Sequence, residues 1–318
     1  MKTTWDCVVV GAGAAGLSAA LVLGRARQRT LVIDAGRPSN RHAEGVGGLL
    51  GHDGRAPAAF YAAGRDELAA YPTVELRSGE VLNGERHEAG FALELADGSR
   101  ELARRVLLAT GMDYRYPELP GIADRWGRSV FHCPFCHGWE VRDQPLGVLD
   151  RGASGVRRAL LLRFWSDDVT LLSDGPAELD ADDVERLRAA GVKVDERRVA
   201  ELRGPDSTLT AVAFADGDEL TCRALLVPVS LYQRSALAKQ LGAAVAGPGP
   251  IAVDAIEIDP TFHTSVLGLS AAGDVSSQMQ SVANAVASGS TAAAMIVHDL
   301  MAEAHDLVPV GAGSDSAR

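Results

Sequence analysis

The sequence predicts an α/β protein made of two Rossmann-like, three-layer ββα domains. Three observations predict it. A glycine-rich turn joins a strand-like run to a helical run near the N-terminus, an altered copy of that turn recurs near residue 150, and apolar runs of strand length alternate with helical patterns along the chain. With 318 residues, 47% of them hydrophobic and 23% charged, the chain is long and apolar enough for two domains with cores of their own.

Each element follows from its pattern. Residues 7–10 read as a short buried strand, 14–25 as a helix and 30–33 as a second strand, a βαβ unit that opens the fold. Residues 74–82 and 91–95 alternate apolar and polar positions, as strands covering one face do. Residues 106–109 form another buried strand, closed by Thr110 and Gly111. Pro117, Pro120 and Gly121 then punctuate the chain, which places a domain junction there. A second βαβ pattern runs through strand 146–149, helix 155–164 and strand 169–172, with further strands in 192–214 and a last one at 225–229. Beyond 236 come a short apolar run at 251–253, a loop at Asp259 and Pro260, the 267–274 stretch and a final helix beginning near Ser281. One domain thus comprises 1–116 and 236–318, with 117–235 inserted, and the Gly/Ser-rich tail 308–318 is expected to fray.

Charge and composition exclude several roles. The 31 basic residues against 42 acidic ones give −11, which argues against a nucleic-acid or anionic-membrane partner. The longest uncharged stretch, 275–297, is rich in Ser, Gly, Asn, Gln and Ala and reads as a buried helix, not a bilayer span. The N-terminus runs straight into the first strand without a signal-peptide pattern, and four cysteines are too few for a secreted disulfide scaffold. The expected location is the cytoplasm.

Gly11-Ala12-Gly13-Ala14-Ala15-Gly16 fits G-x-G-x-x-G, and Asp34 ends the next strand. Gly11 permits the tight turn, Gly13 admits a pyrophosphate to the backbone, and Gly16 lets helix and strand pack closely. The helix start at Ala14 and Ala15 offers free N–H groups to phosphates, and Asp34 would accept from ribose hydroxyls. A dinucleotide is expected here. Thr110-Gly111 after a buried strand, and Ala272-Gly273-Asp274 before a long helix, are where two-part flavoprotein domains complete an FAD site. On these motifs the whole chain resembles the thioredoxin-reductase-like flavoproteins. The resemblance implies FAD, with Asp274 at its ribityl and pyrophosphate end and the backbone of Ser281 and Val282 at the flavin pyrimidine edge. It also implies that Asn40, Val81, Ala109, Thr110, Gly111 and Gly273 line the cofactor, and that the protein is a homodimer.

His132-Cys133-Pro134-Phe135-Cys136-His137 admits three readings. C-x-x-C-H attaches c-type haem, but that needs export. A structural zinc site needs a second ligand pair, which the sequence lacks, so no metal is expected. A redox pair needs only the two cysteines, because C-x-x-C closes a small disulfide and local electrostatics tune its thiols. By the resemblance, Cys133 is the exchanging thiol and Cys136 the one beside the flavin. His137 stands where thioredoxin reductases usually carry an acid; an imidazole suits a base that takes a proton from a substrate thiol, and the lesser alternative is a structural hydrogen-bonder. His132 reads as structural, and Cys7 and Cys222 as inert core residues.

The second glycine turn is altered. Asp150-Arg151-Gly152-Ala153-Ser154-Gly155 places an acid where the first glycine should be, and Asp174 stands where arginines would grip a 2′-phosphate. This argues that NAD(P)H binding is lost and that the chemistry runs as an oxidation. A substrate dithiol would reduce the Cys133–Cys136 disulfide, the flavin would take the electron pair, and O2 would leave as H2O2. Cys-Pro-Phe-Cys-His-Gly-Trp-Glu (133–140) with a degraded nucleotide turn resembles the dithiol oxidases that close disulfides in natural products such as gliotoxin and holomycin. The alternatives are a thioredoxin-type disulfide reductase fed by NAD(P)H or another donor, and a flavin-binding redox sensor.

Overall fold

A computed structural model describes residues 4–308; the tail from 309 lies outside the described residues. From the N-terminus, β1 (Trp5–Val10), α1 (Ala14–Arg25) and β2 (Thr30–Asp34) form the opening βαβ unit. Then come α2 (Pro57–Leu68), β3 (Val74–Ser78), β4 (Val81–His87), β5 (Gly90–Leu95), β6 (Arg100–Leu108) and β7 (Met112–Arg115). The middle of the chain carries α3 (Ile122–Arg125), β8 (Val130–Phe131), α4 (Pro134–His137), β9 (Leu146–Leu149), α5 (Gly152–Leu162), β10 (Val169–Leu172) and α6 (Ala181–Ala189). After them lie β11 (Lys193–Asp195), β12 (Val199–Arg203), β13 (Ala211–Phe214), β14 (Glu219–Thr221) and β15 (Ala224–Leu226). The last part holds β16 (Ser230–Gln233), α7 (Leu237–Gln240), β17 (Leu269–Ala271) and α8 (Val282–Ala304).

Two compact units result. The first takes the chain up to Ser39, then Ala58–Tyr114, then everything from Leu231; the second takes Asn40–Pro57 and Arg115–Ser230. The first unit's sheet runs β3-β2-β1-β6-β5-β4, with β17 also on β6. The strands around β1 are parallel, and β4, β5 and β6 form an antiparallel meander. Residues 74–82, expected as one strand, are two, on opposite ends of that order. Only Gly79 and Glu80 separate them, a link that reaches roughly 10 Å, whereas five strand spacings across a flat sheet would need about 24 Å. The meander must therefore fold over the parallel strands. It is one outer layer, and the helices α1 and α8 are the other.

By length and composition α8 could cross a membrane. Its small-residue face, including Ser288, Gly289, Ala292 and Ala293, is instead buried with Ala15, Ala19 and Ala20 of α1 in the main core. Close approach depends on Gly289, where any Cβ would run into the Ala15 backbone. The apolar run 251–253 forms the isolated bridge Leu231–Ala252.

The second unit repeats the plan with a parallel sheet β11-β10-β9-β15-β8 and a meander β12-β13-β14. Both sheet faces are covered. Val148, Leu162 and Leu171 belong to the core that includes α5 and α6, while Leu149, Leu172, Val212 and Phe214 belong to the core that includes the meander.

Candidate active site

In the first unit the chain leaves β1 through Gly11 at φ +104°, a conformation that favours glycine. Space demands glycine there too, since a Cβ would strike the Ala109 carbonyl, and at Gly16 it would strike the Gly11 carbonyl. Gly13 differs. Its φ is −72°, and no atom lies within 4 Å of where its Cβ would stand. The packing of the protein leaves room for a side chain at 13. The start of α1, at Ala14 and Ala15, has no side-chain cap and no acid in its first turn, so its amides and the positive end of its dipole are offered outward. Asp34 ends β2, and its Oδ1 accepts from the Ala12 N–H at 3.0 Å. Asp34, Gly36, Arg37, Ser78 and Glu80 line an open cleft, and Val81 is buried just beyond it.

The strand ends beside the turn complete this set. Ala109 donates its N–H to the Val10 carbonyl at 2.9 Å, with Thr110 and then Gly111, at φ +69°, following it. Gly273 donates its N–H to Ser288 Oγ at 3.0 Å, and a Cβ there would press to 3.0 Å from Ala15. Asp274 Oδ2 accepts from the Tyr114 hydroxyl at 2.9 Å. Burial pushes the Asp274 carboxyl above the usual range, against the Tyr114 hydrogen bond and the Arg234 charge, which lower it. Ser281 caps α8, its Oγ accepting from the Asn284 N–H at 3.0 Å, and Val282 is the first helical residue. Asn40 belongs to the second unit. It opens the segment 40–57, which groups with the second unit because Gly47 packs on the Cys136 backbone and Glu44 pairs with Arg128.

In the second unit β8 leads into His132 and Cys133. Cys133 is the N-cap of α4 and Pro134 its first residue, the helix position where proline's missing N–H costs nothing. One turn brings the Cys133 and Cys136 Cα atoms to 5.4 Å, and the two are joined as a disulfide. Both are half-buried. Gly138 leaves room for Trp165, whose ring a Cβ would approach to 2.8 Å. Aromatic rings flank the disulfide. Phe135 is 71% and Trp139 65% exposed; Phe135 meets Trp165 edge-on at 5.4 Å, and the Arg142 guanidinium lies 3.9 Å over Trp139.

His137 stacks on Phe131 at 5.4 Å, and its Nε2 lies 3.1 Å from the Gly127 carbonyl. A carbonyl only accepts, so Nε2 carries the hydrogen and Nδ1 keeps its lone pair. Nδ1 is buried and has no hydrogen-bond partner among the described residues. Burial holds the His137 pKa below its ordinary value, against the Gly127 carbonyl, the Glu140 charge and the Cys133 carbonyl. His132 stacks on Trp126 at 5.8 Å, and burial, with the charges of His137 and Arg158 adding to it, pulls its pKa down to about 4. Cys7 and Cys222 are buried, their thiols pushed up to about 12 by desolvation, so neither supplies thiolate near neutrality.

The second glycine turn is filled from within. Asp150 Oδ1 accepts from the Arg151 N–H at 2.8 Å, and Oδ2 pairs with the Arg158 guanidinium. The Gly152 N–H donates to the Ala177 carbonyl at 2.8 Å. Asp174 Oδ1 accepts from the Val199 N–H at 2.9 Å, while Arg198 and Arg151 donate to its carbonyl at 2.8 and 3.2 Å. Helix α5 starts at Gly152, earlier than the apolar pattern suggested.

Residues 5–289 match the family model described as pyridine nucleotide-disulphide oxidoreductase. The chain belongs to this family. The oxidoreductase is 33% identical over 308 residues to "Thioredoxin reductase tcpT" of Claviceps purpurea (strain 20.1), covering 94% of this chain and 95% of that one. Among solved structures it is similar to HlmI, at 39% identity and TM-score 0.89 with 96% of each chain covered. It is also similar to an oxidoreductase from Agrobacterium tumefaciens, at 36% identity and TM-score 0.88, covering 94% of this chain and 99% of that one. The oxidoreductase is therefore a thioredoxin-reductase-like flavoprotein that acts on sulfur groups and binds FAD.

The residues present fit that cofactor. The space over Gly13, the uncapped start of α1 and the cleft at Asp34 are shaped for an anionic dinucleotide. Sequence reasoning missed Tyr114, Arg234, Ser288 and Gly127, since each acts on a site residue far away in sequence or through a main-chain atom. It also missed Trp165, which a glycine at 138 followed by tryptophan hardly announces.

Proposed function

We propose that the oxidoreductase is an FAD-dependent dithiol oxidase that closes a disulfide in a small natural-product dithiol, with O2 as acceptor and H2O2 as product. The observation that carries this reading is the pairing of an intact Cys133–Cys136 disulfide with a second glycine turn whose amides and arginines are taken up by Asp150 and Asp174. A chain without a nicotinamide site has no conventional source of reducing equivalents, so substrate must supply the electrons. The resemblance behind this reading also implies a homodimer.

In this scheme Gly11, Gly13, Ala14, Ala15, Gly16 and Asp34 hold the adenosine and pyrophosphate portion of FAD, with Val81 beside the adenosine cleft. Ala109, Thr110, Gly111, Gly273, Asp274, Ser281 and Val282 hold the remainder. When bound, FAD accepts an electron pair and passes it to oxygen. A substrate thiolate attacks Cys133 Sγ, breaking the disulfide and leaving Cys136 as thiolate. The second substrate thiol loses its proton to His137, the base in this scheme, then attacks the mixed disulfide and frees Cys133. Substrate has lost two electrons and two protons, one to solvent when the first thiolate formed and one to His137, and the Cys133–Cys136 pair is left reduced. Burial favours the neutral form of His137, the form a base has before it accepts a proton.

The test is an anaerobic titration of the purified FAD-loaded protein, followed through the visible flavin absorbance. A simple dithiol should bleach it, NADPH and NADH should not, and air should restore the colour. Cys136→Ser should retain FAD and lose turnover by at least a hundredfold. Rapid bleaching by NADPH would instead make the protein a reductase, the activity for which its Claviceps relative is named.

A further inference from the structure

The two strands β7 and β16 pair with each other, and each reaches the stretch that bears Asp274. From β16, Gln233 Nε2 donates to the Val275 carbonyl at 2.9 Å. From β7, the Tyr114 hydroxyl donates to Asp274 Oδ2 at 2.9 Å. One strand therefore fixes the main chain beside the aspartate, and the other fixes its carboxylate. We propose that Tyr114 is a positioning residue for FAD: its hydroxyl occupies one oxygen of Asp274, so that the other is turned, ionised, toward the hydroxyls of the bound cofactor. The inference rests on the reading of Asp274 as an FAD-holding residue.

The chemistry supports it. Tyr114 is desolvated and faces the Asp274 charge, so its phenol keeps its proton well above the usual value and is a permanent donor. Burial alone would favour the neutral acid at position 274, which would offer FAD a proton instead of lone pairs. The groups that oppose this are Tyr114 on β7 and Arg234 just beyond β16, with Tyr61 of α2 behind Tyr114. Arg234 is itself anchored on the Arg37 and Met112 carbonyls at 2.7 and 2.8 Å, and Tyr114 donates to the carboxylate directly.

The experiment measures FAD binding to apoprotein by flavin fluorescence quenching from pH 5 to 8, for wild type, Tyr114→Phe and Asp274→Asn. Tyr114→Phe should bind FAD about fivefold to tenfold more weakly at pH 7, the loss of one charge-assisted hydrogen bond, and its loss of affinity in acid should set in at higher pH than in wild type. Asp274→Asn should bind weakly with no such acid limb. If Asp274→Asn weakens binding while Tyr114→Phe matches wild type, or weakens it without moving the acid limb, the role given to Tyr114 is wrong. If Asp274→Asn binds FAD as wild type does, the reading of Asp274 itself fails.

Discussion

Three glycines of one turn illustrate how a single residue type serves two masters. Gly11 and Gly16 are required by the protein's own carbonyls, whereas Gly13 faces empty space in an ordinary backbone conformation. Gly13→Ala should therefore leave the stability of the apoprotein within about 0.5 kcal/mol and still weaken FAD binding by tenfold or more. Equilibrium urea unfolding of apoprotein and a fluorescence titration would separate the two. A comparable loss of apoprotein stability would mean that the space over Gly13 is needed by the fold. The glycine spacing and the C-x-x-C pair were legible in the sequence because each is local. Tyr114 was not, because its partner lies 160 positions away and a tyrosine between Asp113 and Arg115 carries no pattern of its own.

At the level of elements, α1 and α8 pack through alanine and glycine, and Gly289 is where they come closest. Gly289→Ala has to push the helices apart, at about 1–3 kcal/mol, a cost that should lower the urea midpoint with an unchanged slope. Stability equal to wild type would show that the helices can separate freely. Because Gly273 also rests on Ala15, the same variant should bind FAD less tightly. The elements the sequence misplaced have a common cause. Only Arg77, Ser78, Gly79 and Glu80 separate the apolar Leu76 from Val81, and so short a break cannot register that β3 and β4 lie at opposite ends of a folded-over sheet. The segment 40–57 carries no strong periodicity, and its place with the second unit is set by contacts of Gly47 and Glu44 that no local pattern encodes.

For the molecule as a whole, two histidines make stability depend on pH in opposite senses. His263 lies between Asp299, at 2.8 Å from Nε2, and Thr261, at 2.8 Å from Nδ1. The hydrogen bond to Asp299 raises its pKa above 6.5, with the Asp299 and Asp259 charges helping against burial. Its extra stabilisation is thus fully present below 6.5 and is lost as pH rises through the higher folded value. His132 is depressed to about 4, so the native state loses stability as pH falls from 6.5 toward 4. The melting temperature of His263→Gln should trail wild type most near pH 6, with the gap narrowing toward pH 9. A gap that widens with pH would contradict the assignment.

The discontinuity of the first unit has a consequence for how the protein is made. Ser18 on α1 donates to the Val286 carbonyl of α8 at 2.8 Å, across 268 positions of chain, and the second unit is entirely encoded between those two helices. During vectorial synthesis the second unit has all its residues once Ser230 has emerged, whereas α1 must wait with an uncovered apolar face until the ribosome has delivered α8. If Ser281 and Val282 hold FAD as proposed, flavin capture is a late event in biogenesis, and a yellow chain is one whose translation has run through α8.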